Sequence, residues 1–143
     1  MIGSRGKAIS TMSAVAGVAI AMVAMMSANA QVRDMRFQSP SGNIVCGLTA
    51  QEAFCTIRDY SASFTRQPAD CDGDWGNHFY VGPKGKGGLA CVTDYRGDPM
   101  FTLAYGASLS IAGITCMSSR TGMTCRNAAG GGFTLRRADQ RVF

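Results

Sequence analysis

Six cysteines constrain this chain more than any other feature, and all of them lie beyond residue 45. Eight residues separate Cys46 from Cys55, eight separate Cys116 from Cys125, and nineteen separate Cys71 from Cys91. Six cysteines admit many pairings, and the equal spacing narrows them. If Cys46 lies opposite Cys55 in a hairpin, Gly47 faces Phe54, Leu48 faces Ala53, and Thr49-Ala50-Gln51-Glu52 forms a four-residue loop. If Cys116 lies opposite Cys125, Met117 faces Thr124, Ser118 faces Met123, and Ser119-Arg120-Thr121-Gly122 forms the loop. Directly opposed strand residues have Cα atoms about 4.5–5.5 Å apart, within disulfide reach. Cys71 and Cys91 remain as the third pair. Each closure contributes roughly 3 kcal/mol in the chain-entropy model. Zinc and redox alternatives fit poorly. No two cysteines are closer than nine positions, there is one histidine, and no C-x-x-C occurs.

Disulfides need an oxidising compartment, and the N-terminus supplies an address. Arg5 and Lys7 precede an apolar run from Met12 to Met26, followed by Ser27-Ala28-Asn29-Ala30. A positive start, an apolar core and an A-x-A-like site form the pattern of a cleaved secretory signal. Residues 1–30 are therefore expected to be a signal peptide, and residues 31–143 a single disulfide-rich β domain starting at Gln31. The expected location is secreted or periplasmic. No cysteine closely follows the apolar run, so no lipid-anchor site is read. The run is short for a span of about 20 residues, so the mature chain is not expected to be an integral membrane protein. The mature part carries twelve basic and nine acidic residues, a net +3. That surplus is too small for a nucleic-acid binder.

Short alternating, β-branched or aromatic runs recur about every ten residues. They are Val32–Gln38, Asn43–Leu48, Ala53–Arg58, His78–Gly82, Gly88–Asp94, Met100–Tyr105, Ser108–Ile111, Gly113–Ser118, Gly122–Arg126 and Gly132–Arg136. Turn clusters rich in glycine and proline separate them. This predicts an all-β fold, a small disulfide-stabilised sandwich or barrel of short antiparallel strands. No long 3.6-residue apolar stripe occurs in the mature part, and any helix is a short one near Ala138–Val142. The stretch Tyr60–Trp75 reads as a loop crossing the sheet, tied down by Cys71. A faint echo relates Ile44-x-Cys46 and Cys55 to Ile114-x-Cys116 and Cys125 at an offset of 70. Duplication is one reading, and two similar disulfide-pinned hairpins is the plainer one.

The segment Phe37-Gln38-Ser39-Pro40-Ser41-Gly42-Asn43-Ile44-Val45-Cys46 resembles the opening of a family of small secreted bacterial domains found in actinobacteria and proteobacteria. Cys71, Leu89-Ala90-Cys91-Val92-Thr93-Asp94 and Leu103-Ala104-Tyr105-Gly106 are similar to it too. So is the ending, Gly122-Met123-Thr124-Cys125-Arg126-Asn127 and Gly130-Gly131-Gly132-Phe133-Thr134-Leu135-Arg136-Arg137. The resemblance covers residues 36–143. It implies a domain of unknown function with a secretory signal or lipid anchor, and brings no activity, cofactor or catalytic residue. Relatives often show Gly-His-Gly-Phe where this chain has Gly130-Gly131-Gly132-Phe133.

Few residues offer chemistry. A Ser-His-Asp or Cys-His site would have to use His78, and no motif places a nucleophile beside it. A strand histidine is the plainer reading. Asp70, Asp72 and Asp74 alternate as in a calcium loop, but Trp75 and Val81 stand where an EF-hand needs glycine and glutamate. They read as a solvated acidic turn. Trp75, with Tyr60, Tyr80 and Tyr95, offers a sugar-stacking platform, whereas a core plug is the plainer role for Trp75. Arg120, Arg126, Arg136, Arg137 and Arg141 face Asp139 alone across residues 116–143, a net +4 suited to anionic polymers or lipids. No phosphate loop is present, and no cofactor or metal is expected. The expected function is non-catalytic binding in the cell envelope, to an anionic envelope polymer or a protein partner. The alternatives are a secreted inhibitor docking Gly82–Gly88 or Gly130–Gly132 into a foreign enzyme, and, with least support, a small hydrolase.

Overall fold

Strands of two to six residues, several of them joined by glycine- or proline-bearing turns, stack into two sheets. A computed structural model of the chain describes Gly3, residues 34–94 and residues 97–143. The chain divides at Ala30/Gln31, and both sheets belong to the unit Gln31–Phe143. The expected signal segment, apart from Gly3, lies outside the described residues, as do Val32, Tyr95 and Arg96.

The first sheet contains β1 (Met35–Gln38), β2 (Ile44–Leu48), β3 (Ala53–Ile57), β4 (His78–Val81), β5 (Gly88–Leu89) and β6 (Phe101–Thr102), in the order β5-β4-β3-β2-β1-β6. The second contains β7 (Ser108–Ile111), β8 (Ile114–Ser119), β9 (Gly122–Asn127), β10 (Gly132–Leu135) and β11 (Gln140–Val142), in the order β11-β10-β9-β8-β7. The fold is all-β. The sheets are open, which corrects the barrel alternative and leaves the sandwich. Pairing is antiparallel except between β1 and β6, which run parallel with Phe37 beside Phe101.

Alternation explains the core. Along β3, Ala53, Cys55 and Ile57 are buried while Phe54 and Thr56 are half-exposed. In β8, Ile114, Cys116 and Ser118 point inward. Both sheets contribute to one cluster that includes Phe37, Leu48, Ile57, Phe79, Phe133 and Leu135. The three disulfides pair as the spacing predicts, Cys46–Cys55, Cys71–Cys91 and Cys116–Cys125. The predicted register also holds: Gly47 faces Phe54, Leu48 faces Ala53, Met117 faces Thr124 and Ser118 faces Met123. The two hairpin disulfides span Cα distances of 4.1 and 4.0 Å, the close spacing of non-hydrogen-bonded pairs. They meet between the sheets, with Cys55 Sγ 3.8 Å from Cys125 Sγ.

The echo at offset 70 is wider than the sequence shows. Across the first sheet one row reads Phe37, Cys46, Cys55, Phe79, Leu89 on β1 to β5. Across the second it reads Leu109, Cys116, Cys125, Phe133, Val142 on β7 to β11. Strand order, direction and disulfide position correspond through five strands on each side. Equivalent residues also touch, since the Phe79 and Phe133 rings lie 6.0 Å apart.

Four expectations are corrected. The helix near Ala138–Val142 is strand β11, because Gln140 and Val142 turn inward and pair with Leu135 and Phe133. The run Gly88–Asp94 keeps only β5 as strand, with Val92 bridging Asp74 beyond it. The second hairpin loop is two residues, not four, since Ser119 pairs with Gly122. A Cβ on Gly122 would overlap the Leu135 carbonyl oxygen, so only glycine lets β9 begin so close to β10. Trp75 is half-buried and lies outside the core cluster.

Candidate functional site

The arginines singled out in the sequence divide between two places. Strand alternation puts Arg126 and Arg141 on the outer face of the second sheet, with Arg136 just past β10 in the same alternation. Ser108, Ser110, Thr115, Met117, Ser119, Thr124 and Thr134 also point outward there. Hydroxyls pair along the rows, Ser110 with Thr115 at 2.7 Å and Thr124 with Thr134 at 3.0 Å. Arg126 lies over the Phe143 ring at 5.0 Å. Asp139 accepts from Arg141 Nε at 2.9 Å and sits 4.0 Å from Arg136. It is the only acidic residue of positions 99–143, against the three arginines of this face.

Arg120 and Arg137 line a separate cleft of about 290 Å³. It is bounded by the turn between β1 and β2, by the tip between β8 and β9, and by the turn bearing Tyr105. Its other lining residues include Ser39, Ser41, Asn43, Ser119 and Thr121. Arg120 lies over the Tyr105 ring, 5.4 Å from its centroid. Arg137 pairs with Asp59 at 3.8 Å, both side chains being largely exposed. Such a pair is weak and exchangeable. In the sequence, Ser39-Pro40-Ser41-Gly42 reads as turn punctuation and gives no sign of this cleft. No local signal marks it, because its walls come from positions some eighty residues apart.

The outer face of the first sheet carries a more apolar cleft of about 240 Å³, lined by Glu52, Phe54, Thr56, His78, Tyr80 and Val92 among others. His78 is a β4 residue, 8% exposed. Its Nδ1 shares a 2.7 Å hydrogen bond with the Thr56 hydroxyl, and its Nε2 is 3.9 Å from Asp74 Oδ2. The second distance is too long for a hydrogen bond that would orient the ring. Asp74 also helps raise the Tyr60 phenol above its ordinary pKa, an effect due first to burial. Asp70, Asp72 and Asp74 are exposed, and among the described residues no three His, Cys, Asp or Glu side chains are grouped to share an ion. Trp75 lines neither this cleft nor the arginine cleft, and among the described residues its buried indole N–H has no hydrogen-bond acceptor.

The two glycine loops that the inhibitor alternative would use, Gly82–Gly88 and Gly130–Gly132, pack on each other. A Cβ on Gly87 would overlap the Gly132 carbonyl oxygen, and one on Gly131 would overlap that of Gly85. Asn127 joins them through its amide.

The cysteines are all paired and among the described residues none is free. Three disulfides fit an oxidising or extracellular compartment. Among those residues no helix is long and apolar enough to cross a membrane. No curated protein and no solved structure matches the chain. One family model does, that of a family of unknown function, and it spans residues 16–143. That match takes in both sheets and all six cysteines, and the chain therefore belongs to the DUF6636 family.

Proposed function

We propose that the mature chain is an exported, non-catalytic binding domain of the cell envelope that holds an anionic polymer on the outer face of its second sheet. The observation that carries this reading is the placing of Arg126, Arg136 and Arg141 along one hydroxyl-rich sheet face with Asp139 as the opposing carboxylate. Guanidinium forks match the carboxylates and phosphates of such polymers. Flanking serine and threonine hydroxyls give a polyhydroxylated chain further hydrogen-bond partners. Eight of the nine acidic residues precede residue 99, so the second sheet is the basic side of the chain. Charge of this kind attracts a polyanion at range and weakens with salt.

Co-sedimentation of the oxidised protein with purified envelope material, over a salt series, tests the reading. Binding is expected at low salt, falling as salt rises, with R126Q/R141Q shifting the midpoint to lower salt. The recovered protein is expected to begin at Gln31. Absence of low-salt binding overturns the polymer role, and a mass beginning at Met1 overturns export.

A further inference from the structure

The cleft between the β1–β2 turn and the β8–β9 tip has the chemistry of a specific site and shares Ser119, but none of the face's arginines, with the open sheet face. Its lining carries two guanidiniums, those of Arg120 and Arg137, and no Asp or Glu, although the exposed Asp59 carboxylate stands 3.8 Å from Arg137. Four hydroxyls surround them, on Ser39, Ser41, Ser119 and Thr121, with the Tyr105 ring at one side. A bare anion needs only the guanidiniums. A ring of hydroxyls beside them matches a ligand that itself carries several hydroxyls.

The walls are held in place before any ligand arrives. Asn43 is clamped to Asp59, donating Nδ2 to its carbonyl at 2.9 Å and accepting from its N–H at 2.8 Å. Ser39 is 4% exposed, and its hydroxyl accepts from the Ile44 N–H at 3.1 Å and pairs with Ser41 at 3.2 Å. On the other wall, Ser119 donates to the Gly122 carbonyl and pairs with Thr121, each at 3.1 Å. The Cys116–Cys125 bond anchors the hairpin that carries this tip. Ser119 and Thr121 keep lone pairs for a ligand, and because Ser41 also accepts from the Asn43 N–H at 3.3 Å, one of Ser39 and Ser41 keeps a lone pair and the other its O–H. The Tyr105 ring fixes Arg120 by a cation–π contact. Prepaid ordering of this kind favours binding.

We infer that this cleft binds an acidic sugar, meaning one sugar ring bearing a carboxylate or a phosphate. Arg120 and Arg137 take the anionic group, and the serine and threonine rim takes ring hydroxyls. The volume of about 290 Å³ lies at the small end of ligand pockets, which begin at roughly 300 Å³, so one ring fits better than a polymer. The site does not depend on the envelope role of the sheet face.

Titration calorimetry on the oxidised protein as isolated, at constant ionic strength, tests it. The probes are glucuronate, glucose 6-phosphate, glucose and inorganic phosphate. At least one acidic sugar is expected to bind about tenfold more tightly than glucose and than inorganic phosphate. Binding of glucuronate alone assigns a carboxylate, and binding of glucose 6-phosphate alone assigns a phosphate. R120Q and R137Q are each expected to weaken it about tenfold, with R126Q within about twofold of the parent. Unchanged melting temperatures certify that the variants fold, and Y105L, which unbraces Arg120, gives a second route to the same loss. The inference is overturned if neither acidic sugar binds, if inorganic phosphate or glucose binds as well, or if R126Q weakens binding as much as R120Q. Monomeric probes at fixed salt separate this outcome from that of the polymer experiment.

Discussion

Asn127 ties together loops that are far apart in sequence. Its Nδ2 donates to the carbonyls of Gly82 at 3.1 Å and Gly85 at 2.8 Å, and its Oδ1 accepts from the Gly131 N–H at 3.0 Å. The side chain is 3% exposed, and strand alternation places it on the inner face of β9. In the first sheet the equivalent inward position, opposite Ile44 rather than Ile114, is Ile57. A purely apolar rule therefore misreads Asn127, whose role depends on carbonyls brought in from another loop. Asn127→Ala leaves two carbonyls and one N–H without this partner, a loss of about 2 kcal/mol. Asn127→Asp is expected to be worse, about 3 kcal/mol or more, because a carboxylate then faces two carbonyl oxygens. Thermal melts rank the pair, and parity of Asn127→Asp with the parent would contradict this bonding.

Elements defined by local pattern were the legible ones. The two disulfide hairpins follow from cysteine spacing, and their registers follow from the cysteines being opposed. Strand β7 appears at its expected limits. Its two-residue turn to β8 uses Ala112 at φ 50° and Gly113 at φ 82°, the left-handed pair that a tight hairpin needs. Strand β11 was illegible because Ala138, Gln140 and Arg141 are good helix formers, and tertiary pairing decides against them. The arginine cleft was illegible for a similar reason, since only the fold brings Ser39 and Asn43 to Arg120 and Arg137. Removing residues 140–143 tests the weight of β11. The Phe143 carbonyl accepts from Gly87 at 2.9 Å and from Gly132 at 2.8 Å, and its N–H donates to Gly132 at 3.0 Å. Losing these with the β10 pairing is expected to cost on the order of 3 kcal/mol and to open β10 as a new edge prone to association. A melt and a sedimentation profile unchanged by the truncation would show that the strand contributes little.

At the scale of the molecule, two five-strand meanders of matching order face each other across one core, with two disulfides in contact at its centre. The likeness is hidden in the sequence because the matching offset drops. It is 70 between Cys55 and Cys125, and 54 between Phe79 and Phe133. The difference is extra chain between β3 and β4, the segment that carries Tyr60, Trp75 and Cys71, which the third disulfide ties to Cys91 beyond β5. That pair differs physically from the others. Cys91 is exposed and Cys71 is 7% exposed, whereas Cys46, Cys55, Cys116 and Cys125 are each 1% exposed or less. Thiol–disulfide exchange needs a thiolate to reach a sulfur in line, so access sets the order of reduction. Graded thiol without denaturant, followed by alkylation and peptide mass analysis, is expected to label Cys71 and Cys91 first. The domain then stays folded but loses about 3 kcal/mol, the entropic value of closing a loop of this length. The four inner cysteines are expected to label later and together with global unfolding, because neither bond can be reached while the sheets remain packed. Labelling of all six at one rate, or of the inner four first, would mean that the core opens before the loop does.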